Sequence, residues 1–79
     1  MKEYIATFYS HYGALSYYKI LIKQDISAKL MPVPRSISSS CGTCVSFASD
    51  SLECFPDIEI EAIYIEDNGK FSTAWVNDN

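Results

Sequence analysis

The residue types best suited to chemistry crowd between positions 35 and 44, where Arg35, Ser38, Ser39, Ser40, Cys41, Gly42 and Cys44 fall in one stretch. Cys41 can act as a nucleophile only as its thiolate, and a free thiol is mostly protonated at neutral pH. The permanently charged Arg35 would favour that thiolate if the chain folds back toward Cys41. Backbone amides from Ser39 to Gly42 could form an anion-holding nest, with Gly42 supplying a positive φ. The hydroxyls of Ser38, Ser39 and Ser40 could donate to a sulfur anion. Cys44 completes a Cys-x-x-Cys spacing, in which one thiol attacks and the other resolves. An extended chain would put the two Cα atoms about 10 Å apart on opposite faces, and a disulfide needs them within about 7 Å. Only a turn at Gly42-Thr43 would let the pair close.

Other constellations carry less. Cys41, Cys44, Cys54 and His11 would make a Cys₃His set for zinc. A single Cys-x-x-Cys without a matched second pair is a weak metal signal, so neither a metal nor a cofactor is expected. Cys54 reads as a small buried hydrophobe. His11 is the single histidine of the chain and opens a helix. At that position a histidine is more often packed or solvated than an acid–base group, because a helix N-terminus disfavours imidazolium. Glu59, Glu61 and Glu66 read as the solvated side of a strand. The sequence assembles no Ser-His-Asp set, phosphate loop or paired carboxylates.

The elements around this stretch are readable from pattern. Tyr4 to Tyr9 is apolar without clean alternation, which predicts a strand inside a sheet. Ser10 is an N-cap candidate for a helix over His11 to Gln24, with His11, Ala14, Leu15, Tyr18, Leu21 and Ile22 on its apolar face. Ile26 to Met31 alternates as a half-buried strand that Pro32 ends. Cys44 to Phe47 reads as a short third strand, so that Cys44 belongs to the strand and not to the loop. A turn or two of helix fits between Ser49 and Phe55, before Pro56. Ile58 to Ile65 reads as a fourth strand whose broken parity fits either a bulge or burial on both faces at its end. Asn68-Gly69 predicts a type I′ turn into a fifth strand, Phe71 to Val76, with Trp75 on the Phe71/Thr73 face. The order predicts an α+β fold: a ferredoxin-like split βαβ sandwich with an antiparallel sheet, a shortened second helix and a C-terminal hairpin.

The chain has 79 residues, enough for a single domain with its core over about residues 4–66 and a hairpin strand over about 67–76. A domain of this size is marginally stable, which makes self-association useful. Its net charge of −4 is split unevenly, +3 through residue 48 and −7 beyond it. The acidic balance excludes a nucleic-acid partner, which would need a basic face. No apolar run is long enough for a membrane span. The N-terminus lacks a signal-peptide pattern, and an odd cysteine count suits a reducing compartment. The expectation is a cytoplasmic protein.

Two strings carry a resemblance: Leu30-Met31-Pro32-Val33-Pro34-Arg35, and Ile37-Ser38-Ser39-Ser40-Cys41-Gly42. They resemble the signature of the selenium/sulfur carrier protein-like family of small, mostly bacterial domains. Phe8-Tyr9-Ser10 and Ala14-Leu15 are similar to its first strand and helix, and the likeness runs over about residues 4–47 before fading. It implies that Cys41 carries a sulfane sulfur or selenium as a persulfide or selenosulfide, taken from a donor protein and delivered to an acceptor enzyme. That describes a carrier more than an enzyme. Cys44 departs from the family pattern, which needs only the cysteine before glycine. It could attack a Cys41 persulfide, expel sulfide and leave a disulfide. A strand follows the motif instead of a thioredoxin-like helix, which favours a carrier over a thiol–disulfide redox module. A non-catalytic protein-interaction domain is the remaining alternative. The second helix is shorter than the family's, and an uncovered apolar face there predicts a homodimer.

Overall fold

A helix carries the chain from its first strand to its second, two hairpins add a strand each, and the third and fourth strands flank the first. The computed structural model describes residues 2–49 and 60–77. Over these it contains β1 (Lys2–Phe8), α1 (His11–Lys23), β2 (Ala28–Pro32), β3 (Thr43–Ser49), β4 (Ile60–Asp67) and β5 (Lys70–Val76). The strands form one sheet in the order β2-β3-β1-β4-β5, with every neighbouring pair antiparallel. Since β1 and β2 both run antiparallel to β3, they run parallel to each other and α1 crosses between them. The short second helix expected before Pro56 lies outside the described residues, except for Ser49, which ends β3; Cys54 and Glu59 also lie outside them.

Helix α1 starts where its cap demands. Ser10 is extended and its Oγ accepts the Gly13 N–H at 3.1 Å. The helix closes with the Asp25 N–H on the Ile22 carbonyl and the Ile26 N–H on that of Leu21. Asp25, at φ 60, takes the left-handed place that glycine usually holds in such a stop. The inward face is Gly13, Ala14, Tyr17 and Leu21. This corrects the expected face. Leu15 and Ile22 are exposed and Tyr17 is fully buried, because apolar residues cover most of the helix and only packing selects among them.

Between α1 and the sheet lies a core of Tyr4, Ala6, Phe8, Ala14, Tyr17, Leu21, Val45, Phe47, Ile60 and Ile63. Its centre is aromatic. Tyr4 stacks on Phe47 with centroids 5.3 Å apart, and Tyr17 meets Phe8 at 5.4 Å and Phe47 edge-on at 5.9 Å. A second buried cluster, Ile5, Ile37 and Cys44, occupies the opposite sheet face with Met31, Val33, Tyr64 and Phe71 against it. The alternation of β1 (Tyr4 one way, Ile5 the other) divides the two clusters.

Two bulges shape the C-terminal strands. Opposite β1, Thr7 pairs with Ala62 and Phe8 with Ile60, so Glu61 is the extra residue. Opposite β4, Ile63 pairs with Trp75 and Tyr64 with Thr73, so Ala74 is extra. The second bulge corrects the expectation for β5. Trp75 packs with the helix-side core and Phe71 with the opposite cluster, because the extra residue flips the face. Asn68 and Gly69 have φ of 52 and 80, as the type I′ turn requires. Among the described residues, no helix is long and apolar enough to cross a membrane.

Candidate functional site

One end of the sheet gathers the C-termini of β1 and β2, the N-termini of β3 and β4, and the first turn of α1. The loop between β2 and β3 folds over this end. Its neck is closed by the Val33 N–H donating to the Gly42 carbonyl at 3.1 Å, which prolongs the β2–β3 ladder. Pro34 to Ile37 makes a turn, with the Ile37 N–H on the Pro34 carbonyl at 3.0 Å. Ile37 is then buried beside Ile5 and Cys44. The loop is thus nailed to the sheet face opposite α1 before it climbs over the sheet end.

The climb is held by serines. Ser39 Oγ donates to the Phe8 carbonyl at 3.5 Å and accepts the Cys41 N–H at 3.3 Å. Ser40 binds the Glu61 carboxylate twice, from its backbone N–H at 3.1 Å and its hydroxyl at 2.7 Å. The bulge makes Glu61 available, since the extra residue leaves the strict alternation of β4. Glu61 is therefore a loop clamp, which corrects its expected place on a solvated strand side.

Cys41 emerges half-buried on the α1 side. Its Sγ lies 3.7 Å from His11 Nδ1, and the Thr43 N–H donates to it at 3.4 Å. The Thr43 carbonyl stands 3.8 Å away as a second acceptor for the thiol proton. Beside the pair is an open groove of about 390 Å³ lined by His11, Tyr12, Leu15, Leu30 and Thr43. His11 is the residue that the sequence reading weighed and set aside. Thirty positions separate it from Cys41, and no local pattern marks the approach.

The expected anion environment is corrected in four respects. Ser39 and Ser40 direct their hydroxyls to Phe8 and Glu61, so neither donates to sulfur. The Ser40 and Cys41 amides are similarly engaged, and the Thr43 amide reaches the sulfur in their place. Gly42 does not adopt a left-handed φ, and a Cβ there would meet nothing within 4 Å. Arg35 is exposed in the turn above Ile37, with no hydrogen bond or ion pair to Cys41; Ser38 is exposed as well.

Cys44 has different neighbours. It pairs across the sheet with Thr7 and Met31, is fully buried, and donates its thiol to the Pro32 carbonyl at 3.7 Å. Burial, reinforced by the charge Cys41 would carry, pushes its thiol from 9.0 up to about 11. Both cysteines are free thiols. The structure brings Cys41 to His11 and Thr43, and Cys44 to Ile5 and Ile37. No group of three metal-binding side chains occurs among the described residues.

A half-buried thiol on a hairpin loop, beside a helix and a five-stranded antiparallel sheet, is set in a small domain of mixed α and β structure. The chain belongs to the family described as "Putative Se/S carrier protein-like", whose model matches residues 3–66. The match extends past Phe47, where the likeness of the quoted strings fades, and takes in β4 and the Glu61 clamp. Comparison with curated proteins and with solved structures returns no match.

Two outcomes follow from this geometry. Glu61→Ala removes both acceptors of Ser40, and amide exchange at Ser40 should speed up about tenfold in hydrogen-exchange measurements; an unchanged rate would mean that the clamp does not hold the loop. For Cys44, the folded state keeps its proton up to about 11 while the unfolded chain releases it near 9.0. The stabilisation is complete below 9.0 and is lost as the pH rises toward 11, because the folded state binds more protons there. Denaturation midpoints should show wild type losing about 2 kcal/mol more than Cys44→Ala across that window.

Proposed function

We propose that this protein is a carrier of sulfane sulfur or selenium, held on Cys41 and passed between a donor and an acceptor protein. The observation that carries the reading is the division of labour between the two thiols: Cys41 is half-exposed beside an open groove, and Cys44 is fully buried. Membership of the carrier-like family supports it independently. The strand order β2-β3-β1-β4 with α1 crossing from β1 to β2 supports a ferredoxin-like reading of the fold.

Loading is an exchange with no net oxidation. The Cys41 thiolate attacks the outer sulfur of a donor persulfide, R–S–SH. The donor's S–S bond breaks, R–S⁻ leaves, and Cys41 holds the outer sulfur as Cys41–S–SH. Unloading reverses this with an acceptor thiolate. Selenium follows the same course as R–S–SeH. For both steps the sulfur on Cys41 must be reachable, and no second thiol should compete for the inner sulfur. Cys44 is a poor competitor, being shielded by Ile5 and Ile37 and protonated far above neutral pH. This favours the carrier over a Cys41/Cys44 redox module. The exposed Tyr12, Leu15 and Leu30 beside the thiol offer an uncharged surface to the partner's cysteine-bearing segment.

Incubation with a sulfane-sulfur donor followed by intact mass tests the reading. Wild type and Cys44→Ala should each gain the mass of one sulfur atom, and Cys41→Ser should gain none. Equal gain by Cys41→Ser, or no gain by wild type, would overturn it.

A further inference from the structure

Resting on Cys41 as the reacting thiol, we propose that His11 is the acid–base residue of this site. It takes the Cys41 proton as the thiolate forms and returns it to the thiolate that leaves the donor.

The geometry is specific. His11 Nδ1 stands 3.7 Å from Sγ, within the range of a sulfur hydrogen bond. The imidazole is exposed, so it can also exchange protons with water. His11 is the first residue of α1, where the helix's free amides favour a nearby anion. The Thr43 N–H at 3.4 Å then supplies an additional donor to the thiolate. Tyr12, Leu15 and Leu30 line the open groove beside His11.

The other ionisable groups facing this end, among the described residues, do not replace His11. The Glu61 carboxylate of β4 is held by Ser40. Cys44 of β3 stays protonated, with its thiol on Pro32. Tyr12 of α1 is the most exposed wall of the groove, and Arg35 sits exposed at the loop turn. With His11 the exchange balances: R–S–SH and Cys41–SH give R–SH and Cys41–S–SH. One proton passes from Sγ to Nδ1 and on to the departing sulfur. The donor S–S bond is broken, one S–S bond is formed, and no oxidant is required.

The test is the rate of iodoacetamide alkylation at Cys41, read at the peptide level so that other thiols do not interfere. It compares full-length wild type, His11→Gln and His11→Ala from pH about 6 to about 9.5. Wild type should react about tenfold faster than both variants near pH 6.5, with the three rates converging at the alkaline end where the thiol ionises unaided. Convergence there also reports that the loop is intact, which a merely structural role for His11 would not produce. Coincident profiles at every pH would overturn the assignment. A parallel arm exposes the same proteins to glutathione persulfide and weighs them. Sulfur on wild type with coincident profiles sinks the role of His11 and leaves the carrier standing. Divergent profiles with no sulfur on wild type sink the carrier and leave the Cys41–His11 pair standing.

Discussion

The grip of Ser40 on the Glu61 carboxylate ties the loop that carries Cys41 to the start of β4. Strict alternation would not put Glu61 there. An extra residue in β4 re-aims it, and the carboxylate then takes both the backbone N–H and the hydroxyl of Ser40. With Ile37 buried on one face and Ser39 bridging Phe8 and Cys41, the loop has a single course over the sheet end. That course delivers Cys41 to the first turn of α1. Its consequence is a spare environment for the sulfur. The nearby serines are consumed in holding the loop, so a sulfur anion depends on the Thr43 amide and the His11 imidazole.

The pleat of β3 does the rest. Thr43, at the start of the strand, lines the groove on the α1 side; one residue later, Cys44 points into the opposite cluster. The loop thus leaves Cys41 on the α1 side while the pleat of β3 turns Cys44 to the opposite face. The separation is electrostatic as well as steric. Burial first, and a charge on Cys41 second, push the Cys44 thiol up to about 11, so it stays protonated near neutral pH. The same spacing in a turn would be a redox pair. Split between a loop and a pleated strand, it leaves one half-buried thiol and one core residue.

The parts legible in sequence were those governed by neighbours along the chain. Ser10 and the helix behind it, the Asn68-Gly69 turn, the place of Cys44 in a strand and an irregularity in the fourth strand all follow from local rules. What was hidden depends on distant partners. Tyr17 displaces Leu15 and Ile22 from the core because Phe8 and Phe47 offer it aromatic contacts. Glu61 looked like a solvated strand residue because its partner lies across the sheet end. His11 and Cys41 meet only because the crossover and the hairpin loop end at the same edge. The serines were rightly placed near the thiol but wrongly assigned, since composition cannot say whether a hydroxyl faces sulfur or backbone.

A carrier thiol at Cys41 must hold sulfur without losing it to Cys44. The most direct measurement starts from protein loaded by glutathione persulfide and freed of donor. Its mass and any released sulfide are followed in the absence of an acceptor, after which a thiol acceptor is added. The extra sulfur should stay on Cys41 and then pass intact to the acceptor. Release of sulfide together with a Cys41–Cys44 disulfide would contradict the account.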